Sequence, residues 1–235
     1  MLTARSRLRP ITRLVPTGLP IPVVRGPLRG SWWIAGAGAG HGKGLAVILN
    51  LAEPHQLRFA SKIASGIAFD VGANVGIYSL LFARSCSQVF AFEPSARNAA
   101  FLWYTMRINR TSNVSIVPMA VSDKIGLAHL GVSESTACSG LADSGFPVST
   151  VSIDAFVKEY KISPSIVKID VEGGEVEVLR GMELTIRNSK PAILLSVHND
   201  ELRRECLSLL AAFGYRTTPL DNPDPQAAFE YAAHE

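Results

Sequence analysis

From residue 66 onward, short apolar runs alternate with stretches of helical spacing, and that alternation permits little other than a parallel sheet with crossover helices. GIAFD, VFAFE, VSIVPMAV, IVKID and AILLSVH read as five successive strands. Between them, GIYSLLFARSC and SARNAAFLWYTMRIN carry the spacing of crossover helices, with Leu102 and Met106 one turn apart and Ser95 as an N-cap. GEVEVLRGMELTIRN aligns Val176, Leu179, Met182 and Ile186 on one face. DELRRECLSLLAAFG aligns Leu202, Cys206, Leu209 and Phe213 ahead of a helix stop at Gly214. YRTTPL and AAFEYAA, joined by the turn-rich DNPDP, are expected to be two closing strands. Upstream, VVRGPLRGSWWIAG reads as a glycine-turned hairpin and HQLRFASKIAS as a helix, while the Ser-, Gly- and Ala-rich segment from Leu130 to Thr150 reads as an irregular insertion with a little strand. Residues 1–65 are thus expected to form a basic N-terminal extension with a hairpin and a helix, and residues 66–235 a single α/β domain.

The chain has 235 residues, 47% of them hydrophobic and 18% charged, which suits one packed domain and neither a disordered nor a fibrous chain. Its net charge of +3 conceals an asymmetry, because residues 1–52 hold six arginines and one lysine and no acid. Such a leader suits a solvated arm, or contact with an anionic surface. Arg5, Arg7, Arg9, Pro10 and Arg13 interrupt any apolar stretch of a signal peptide, and runs such as LAVILNLA fall far short of the ~20 residues that span a bilayer. Cys86, Cys138 and Cys206 have neither disulfide nor zinc spacing, so the expectation is a soluble, cytoplasmic protein with thiols buried in its core.

Two glycine-rich segments compete as a nucleotide site. GAGAGHGKG, residues 36 to 44, has Ala37 where a phosphate loop needs its first glycine and Gly44 where it needs a hydroxyl, and no register of it satisfies G-x-G-x-x-G. It reads as a turn-rich loop, with His41 and Lys43 facing substrate if they face anything.

FDVGANVGIYSL has the better context, since it follows an apolar strand and opens a helix. Gly72 and Gly76 permit close backbone approach or positive φ, and Asn74 tolerates a left-handed conformation. Glu93, 23 residues after Asp70, ends the second strand where a carboxylate can accept from both hydroxyls of a ribose. A nucleoside site follows, open to NAD or S-adenosylmethionine. Asp70 favours the second, because a carboxylate suits the cationic methionine end and repels a pyrophosphate. Tyr78 and Asn98 are further candidates for the cofactor pocket, Tyr78 having the core as its alternative. Trp32 and Trp33 suit packing, or a sugar platform.

FDVGANVGIYSLLFA, VFAFEPSARNAAFL, MAVSD, IVKIDVEGGEVEVLRGM and PAILLSVHND together resemble the FkbM-type S-adenosylmethionine-dependent methyltransferases. The likeness runs from about Ile67 to Asp200, and the combination of DVGAN-x-G, FEP and KIDVEG-x-E carries it. It implies a class I methyltransferase, a Rossmann-like three-layer sandwich with a mostly parallel seven-stranded sheet and an antiparallel C-terminal hairpin. It also implies S-adenosylmethionine as cofactor, a hydroxyl of a small molecule or glycan as acceptor, and Ser122 of MAVSD among the cofactor-binding residues. One departure stands out: the family often reads E-x-H near the fifth strand, whereas this chain reads Ser196-Val197-His198.

Methyl transfer is an in-line displacement, so positioning and desolvation supply most of the catalysis, and an alcohol acceptor must also lose its proton. Asp170, Glu172 and His198 fall at or just beyond the carboxyl ends of strands four and five, where open α/β sheets bind ligands, and each is a candidate base. Glu175 is accounted for by stabilising the following helix N-terminus. Lys168 alternates onto the face of Ile166 and Asp170, either to pair with an internal carboxylate or to approach substrate. A divalent cation held by Asp170, Glu172 and His198 is chemically open. Two rival functions remain, an NAD-type oxidoreductase and a non-catalytic cofactor-binding scaffold. The absence of an N-P-P-Y-like tetrapeptide counts against nucleic-acid methylation, and the oligomeric state is not legible.

Overall fold

The computed structural model describes residues 18–36, 44–131, 140–220 and 229–234. His41, Lys43 and Cys138 lie outside these residues, as does most of GAGAGHGKG. In chain order the elements are β1 (Pro20–Pro22), β2 (Trp32–Ile34), α1 (Leu45–Ile48), α2 (Pro54–Ile63), β3 (Ile67–Val71), α3 (Ile77–Phe82), β4 (Gln88–Phe92), α4 (Ala96–Ile108), β5 (Val114–Val117), β6 (Ala120–Val121) and β7 (Gly126–Leu130). There follow β8 (Leu141–Ala142), β9 (Phe146–Val151), α5 (Ile153–Tyr160), β10 (Ile166–Ile169), α6 (Glu175–Arg180), α7 (Glu183–Ser189), β11 (Ala192–Val197), α8 (Asp200–Ala212), β12 (Arg216–Pro219) and β13 (Phe229–His234).

Seven strands form the main sheet in the order β12-β13-β11-β10-β3-β4-β5, parallel except for β13, which runs antiparallel to both neighbours. The two closing strands expected of YRTTPL and AAFEYAA are therefore present, and the three-layer α/β architecture is as the sequence implied. Alternation along the central strands sends side chains to two separate cores. Ala68, Ile166 and Leu194 pack with Leu80, Phe82 and Leu102 on one side, and Phe69, Val167 and Ile193 pack with Phe156, Val176 and Leu179 on the other. Burying each such large side chain contributes roughly 1.5–3 kcal/mol, which is what fixes the strand register. That register sets Lys168 beside Asp70 and leads both chains out at the same edge of the sheet.

Local chemistry starts and stops the helices. Ser95, Ser152 and Asn199 accept from Asn98 N, Ala155 N and Leu202 N, and Gly214 ends α8 with φ +85°. The N-terminal hairpin is fastened to the domain by Asn109, whose side chain accepts from Trp32 N at 2.7 Å and donates to Trp32 O at 2.8 Å. Trp33 is buried in the core, while Trp32 is exposed.

Three segments differ from the expectation, each for a visible reason. VSIVPMAV is two strands, because Pro118 has no N–H for the ladder and the chain leaves the main sheet after Val117 to pair Ala120 and Val121 with β9. GEVEVLRGMELTIRN is two helices, since Gly181 passes so close to Ser122 that a Cβ would stand 2.2 Å from Ser122 O. Asp154, distant in sequence, then accepts from Leu184 N and Thr185 N to start the second of them. The segment read as an irregular insertion with a little strand supplies β8 and most of β9 to a four-stranded sheet, in the order β6-β9-β7-β8, whose Leu130 and Leu141 line the cleft described below.

Candidate active site

A cleft of about 690 Å3, counting the space open to solvent, lies along the carboxyl ends of β3, β4 and β10. Six of the candidate residues form its wall: Gly72, Asn74, Glu93, Asn98, Asp170 and Glu172. His198 joins them through contacts with Asp170 and Glu172. Asp70, Gly76, Tyr78 and Ser122 do not stand on that wall.

Asp70 lies beneath the turn. Its carboxylate accepts from Ser79 Oγ at 2.5 Å and from the Ser79 backbone, so it holds the start of α3 from below. Burial pushes its pKa up to about 6, against the opposing pull of Ser79 and Lys168. Gly72, with φ +78°, is required by close approach, because a Cβ would meet Asp170 O at 1.9 Å. Gly76, with φ +94°, opens α3 where Leu102 of α4 leaves no room for a side chain. Tyr78 stacks in the core, donates to Glu53 at 2.7 Å and lies 5.0 Å below the ammonium of Lys168. Ser122 is buried on β6's exit, its hydroxyl 3.2 Å from Asp123 Oδ1.

The turn spends its backbone donors internally. Gly72 N and Ala73 N both donate to Phe92 O, Asn74 N donates to Glu93 Oε2 at 2.8 Å, and Gly76 N donates to Ala73 O. A pyrophosphate needs such amides free. Glu93 is buried at the cleft wall and also accepts from Ser95 N at 2.8 Å and from the Asn98 side chain. Burial raises its pKa against those bonds, yet a carboxylate has about four acceptor sites, so capacity remains on the cleft side. Asn74 Oδ1 is buried and has no hydrogen-bond partner among the described residues.

Across the cleft, five ionisable groups converge on the ends of β10 and β11. Asp170 has Lys168 Nζ 3.2 Å from Oδ2 and His198 Nε2 3.4 Å from Oδ1. Glu172, whose backbone takes φ +57°, brings Oε2 to 3.3 Å from the same ring nitrogen, and burial raises its pKa. The opposite ring nitrogen, Nδ1, lies 3.1 Å from Glu175 Oε1. Burial alone would lower the His198 pKa, but the bond to Glu175 and the charges of Asp170 and Glu172 outweigh it and lift it to about 9.

Lys168 is buried and pairs internally, with Ser196 Oγ at 2.5 Å in addition to Asp170. The position at which this chain departs from E-x-H is thus filled by a hydroxyl that serves the buried ammonium. Glu175, read from sequence as a helix-end carboxylate, is wholly buried (0% exposed) and orients His198. Nothing in the local sequence announces that role, since Glu175 opens α6 and its partner lies 23 residues away, just past the end of β11.

The family model described as the methyltransferase FkbM domain matches residues 70–217. The hexuronic acid methyltransferase AglP of Haloferax volcanii is 28% identical over 142 residues, which cover 56% of this chain and 56% of that protein. The match thus spans little more than half of that curated relative. Among solved structures, a methyltransferase FkbM from Methylobacillus flagellatus KT superposes with a TM-score of 0.58 at 18% identity, over 73% of this chain and 44% of the other. The precorrin-6y C5,15-methyltransferase of Geobacter metallireducens GS-15 superposes with a TM-score of 0.53 at 12% identity, over 78% and 90%. These two likenesses establish a shared fold.

Proposed function

The chain belongs to the methyltransferase FkbM domain family, and from that premise we propose that it transfers a methyl group from S-adenosylmethionine to a hydroxyl of a sugar or glycan. The observation that carries the cofactor choice is the commitment of the Gly72, Ala73, Asn74 and Gly76 amides within the protein. With these four amides committed, the turn offers a pyrophosphate fewer donors, which counts against the NAD-type alternative. Glu93 and Asn74 both line the cleft, the first with a carboxylate and the second with a buried side-chain oxygen that has no hydrogen-bond partner among the described residues, and both are acceptors. They suit the hydroxyls and ammonium of a nucleoside amino acid.

In this reading Glu93 accepts from a ribose hydroxyl, Asn74 binds a cofactor donor, and Asn98 orients Glu93. Asp70, Gly76, Tyr78 and Ser122 act through the packing of the turn and its surroundings rather than by touch. S-adenosylmethionine supplies an electrophilic methyl group on a sulfonium. Asp170 accepts the proton of the acceptor hydroxyl, because it alone of the basic candidates is both on the wall and held by a fixed ammonium. His198, flanked by three carboxylates, orients Asp170 and Glu172 rather than acting as the base. Leu130 and Leu141 of the small sheet close one side against water.

The saccharide acceptor is supported by the curated relative, which is named for hexuronic acid. The test is incubation with methyl-labelled S-adenosylmethionine and a panel of uronic acids, neutral sugars and their glycosides. Label recovered as a base-stable methyl ether on a saccharide is the expected outcome. Label released by mild base would assign the acceptor to a carboxyl group instead, and no label on any saccharide would remove the sugar reading.

A further inference from the structure

We propose that Asp170, Glu172 and His198 form a site for a divalent first-row cation on the wall of the cleft. The ligand atoms of these three residues all lie within 4.8 Å of one another. His198 Nε2 already stands 3.4 Å from Asp170 Oδ1 and 3.3 Å from Glu172 Oε2. Ligands held ~2.1 Å from one ion are roughly 3.0–3.5 Å apart, so these two separations need almost no change to enclose a metal.

A second observation comes from outside the three ligands. Glu175 is wholly buried, and its Oε2 has no hydrogen-bond partner among the described residues. Its Oε1 accepts from Gly173 N at 3.0 Å and faces His198 Nδ1 at 3.1 Å. A carboxylate there fixes the proton on Nδ1 and turns the Nε2 lone pair to the other two carboxylates, the arrangement in which metal-ligating histidines are held. A bare lone pair facing two anionic oxygens is repulsive, so the point between them calls for a positive occupant. A proton on Nε2 is the competitor, but one N–H cannot be directed at both oxygens.

The charge balance points the same way. Three carboxylates, those of Asp170, Glu172 and Glu175, lie within 3.4 Å of the His198 ring nitrogens, and the Lys168 ammonium lies 3.2 Å from the first of them. A divalent ion removes the excess that a single proton leaves. Two oxygens and an imidazole suit Mn2+ and its neighbours better than Ca2+. Three protein ligands also leave coordination positions open toward the cleft, where acceptor hydroxyls would enter. That last role rests on the proposed function, whereas binding of the ion does not.

The test uses the full chain, freed of metal by a chelator, titrated with Mn2+ and followed by electron paramagnetic resonance without cofactor or acceptor. One Mn2+ per chain is expected, abolished by Asp170→Asn and by His198→Ala and unchanged by Glu183→Gln. Glu175→Gln is expected to weaken binding roughly 10- to 100-fold without removing a ligand. If that variant does not fold, His198→Ala at the partly exposed position still decides the question. No stoichiometric binding, or binding that survives His198→Ala, overturns the site. Mn2+ bound without methyl transfer would leave the site and remove the function, and methyl transfer by protein that binds no Mn2+ would do the reverse.

Discussion

Lys168 Nζ lies 3.2 Å from Asp170 Oδ2, two residues further along the same strand and at its exit into the cleft. The ammonium is buried, and the same group pulls down the pKa of Asp70, its register partner on β3. One cation therefore serves a carboxylate under the cofactor turn and another facing the acceptor. Lys168→Met is expected to destabilise the protein by about 3 kcal/mol, because it leaves buried negative charge uncompensated. In an Asp70→Asn background the cost should shrink by roughly 1 kcal/mol or more, measured as a double-mutant cycle in urea. Equal cost in both backgrounds would separate the two carboxylates.

Asp70 itself makes stability depend on pH. Its folded pKa, about 6, stands above the unfolded value of 3.8, so the native state holds a proton that the unfolded chain has released. Its contribution is fully present below about pH 4 and is lost as pH rises through about 6. Asp70→Asn removes that loss, and the variant should gain on the parent by up to ~3 kcal/mol between pH 4 and pH 7.5. Thermal unfolding across this range tests it, with a pH-independent difference as the contrary result.

Asp170→Asn is expected to lower the methyl-transfer rate by roughly 10²–10⁴-fold, the usual contribution of a positioned base. Affinity for S-adenosylhomocysteine should change less than threefold, since the cofactor contacts run through Glu93 and Asn74. Initial rates and equilibrium titration of the same preparation separate the two.

Gly72→Ala should fail on backbone grounds. The new Cβ would meet Asp170 O at 1.9 Å, and φ +78° is a conformation alanine rarely takes. A loss of stability above ~1 kcal/mol and displacement of Asp170 are expected, so activity should fall further than the midpoint alone explains.

Strand identity was legible because each central strand is a short, mostly apolar run, and period two set Lys168 on the face of Asp170, with which it pairs. Asn74 and Glu93 were recognisable because a strand, a left-handed turn and a terminal acid are neighbours in sequence. The misses share one cause, a partner far along the chain. The break at Gly181 depends on the carbonyl of Ser122, the second helix start on Asp154, and the buried role of Glu175 on His198. Asp70 had a suitable charge at a suitable position, but only the packing of Ser79 reveals that it points beneath the turn. Only a little strand was legible between Leu130 and Thr150 because β7 and β9 are largely exposed and carry little apolar alternation.

The central claim is that the cleft beside Asn74 and Glu93 holds S-adenosylmethionine. Titration calorimetry with S-adenosylhomocysteine, comparing the parent with Glu93→Gln, tests it most directly. Asn74 N and Ser95 N donate to different oxygens of Glu93, so Gln keeps the size and one of these two bonds and loses the other, and circular dichroism checks that the variant is folded. The account predicts one site per chain in the parent and affinity weakened roughly tenfold or more in the variant, the worth of a hydrogen bond to a charged group. No binding by the parent, or the same affinity in both, would contradict it.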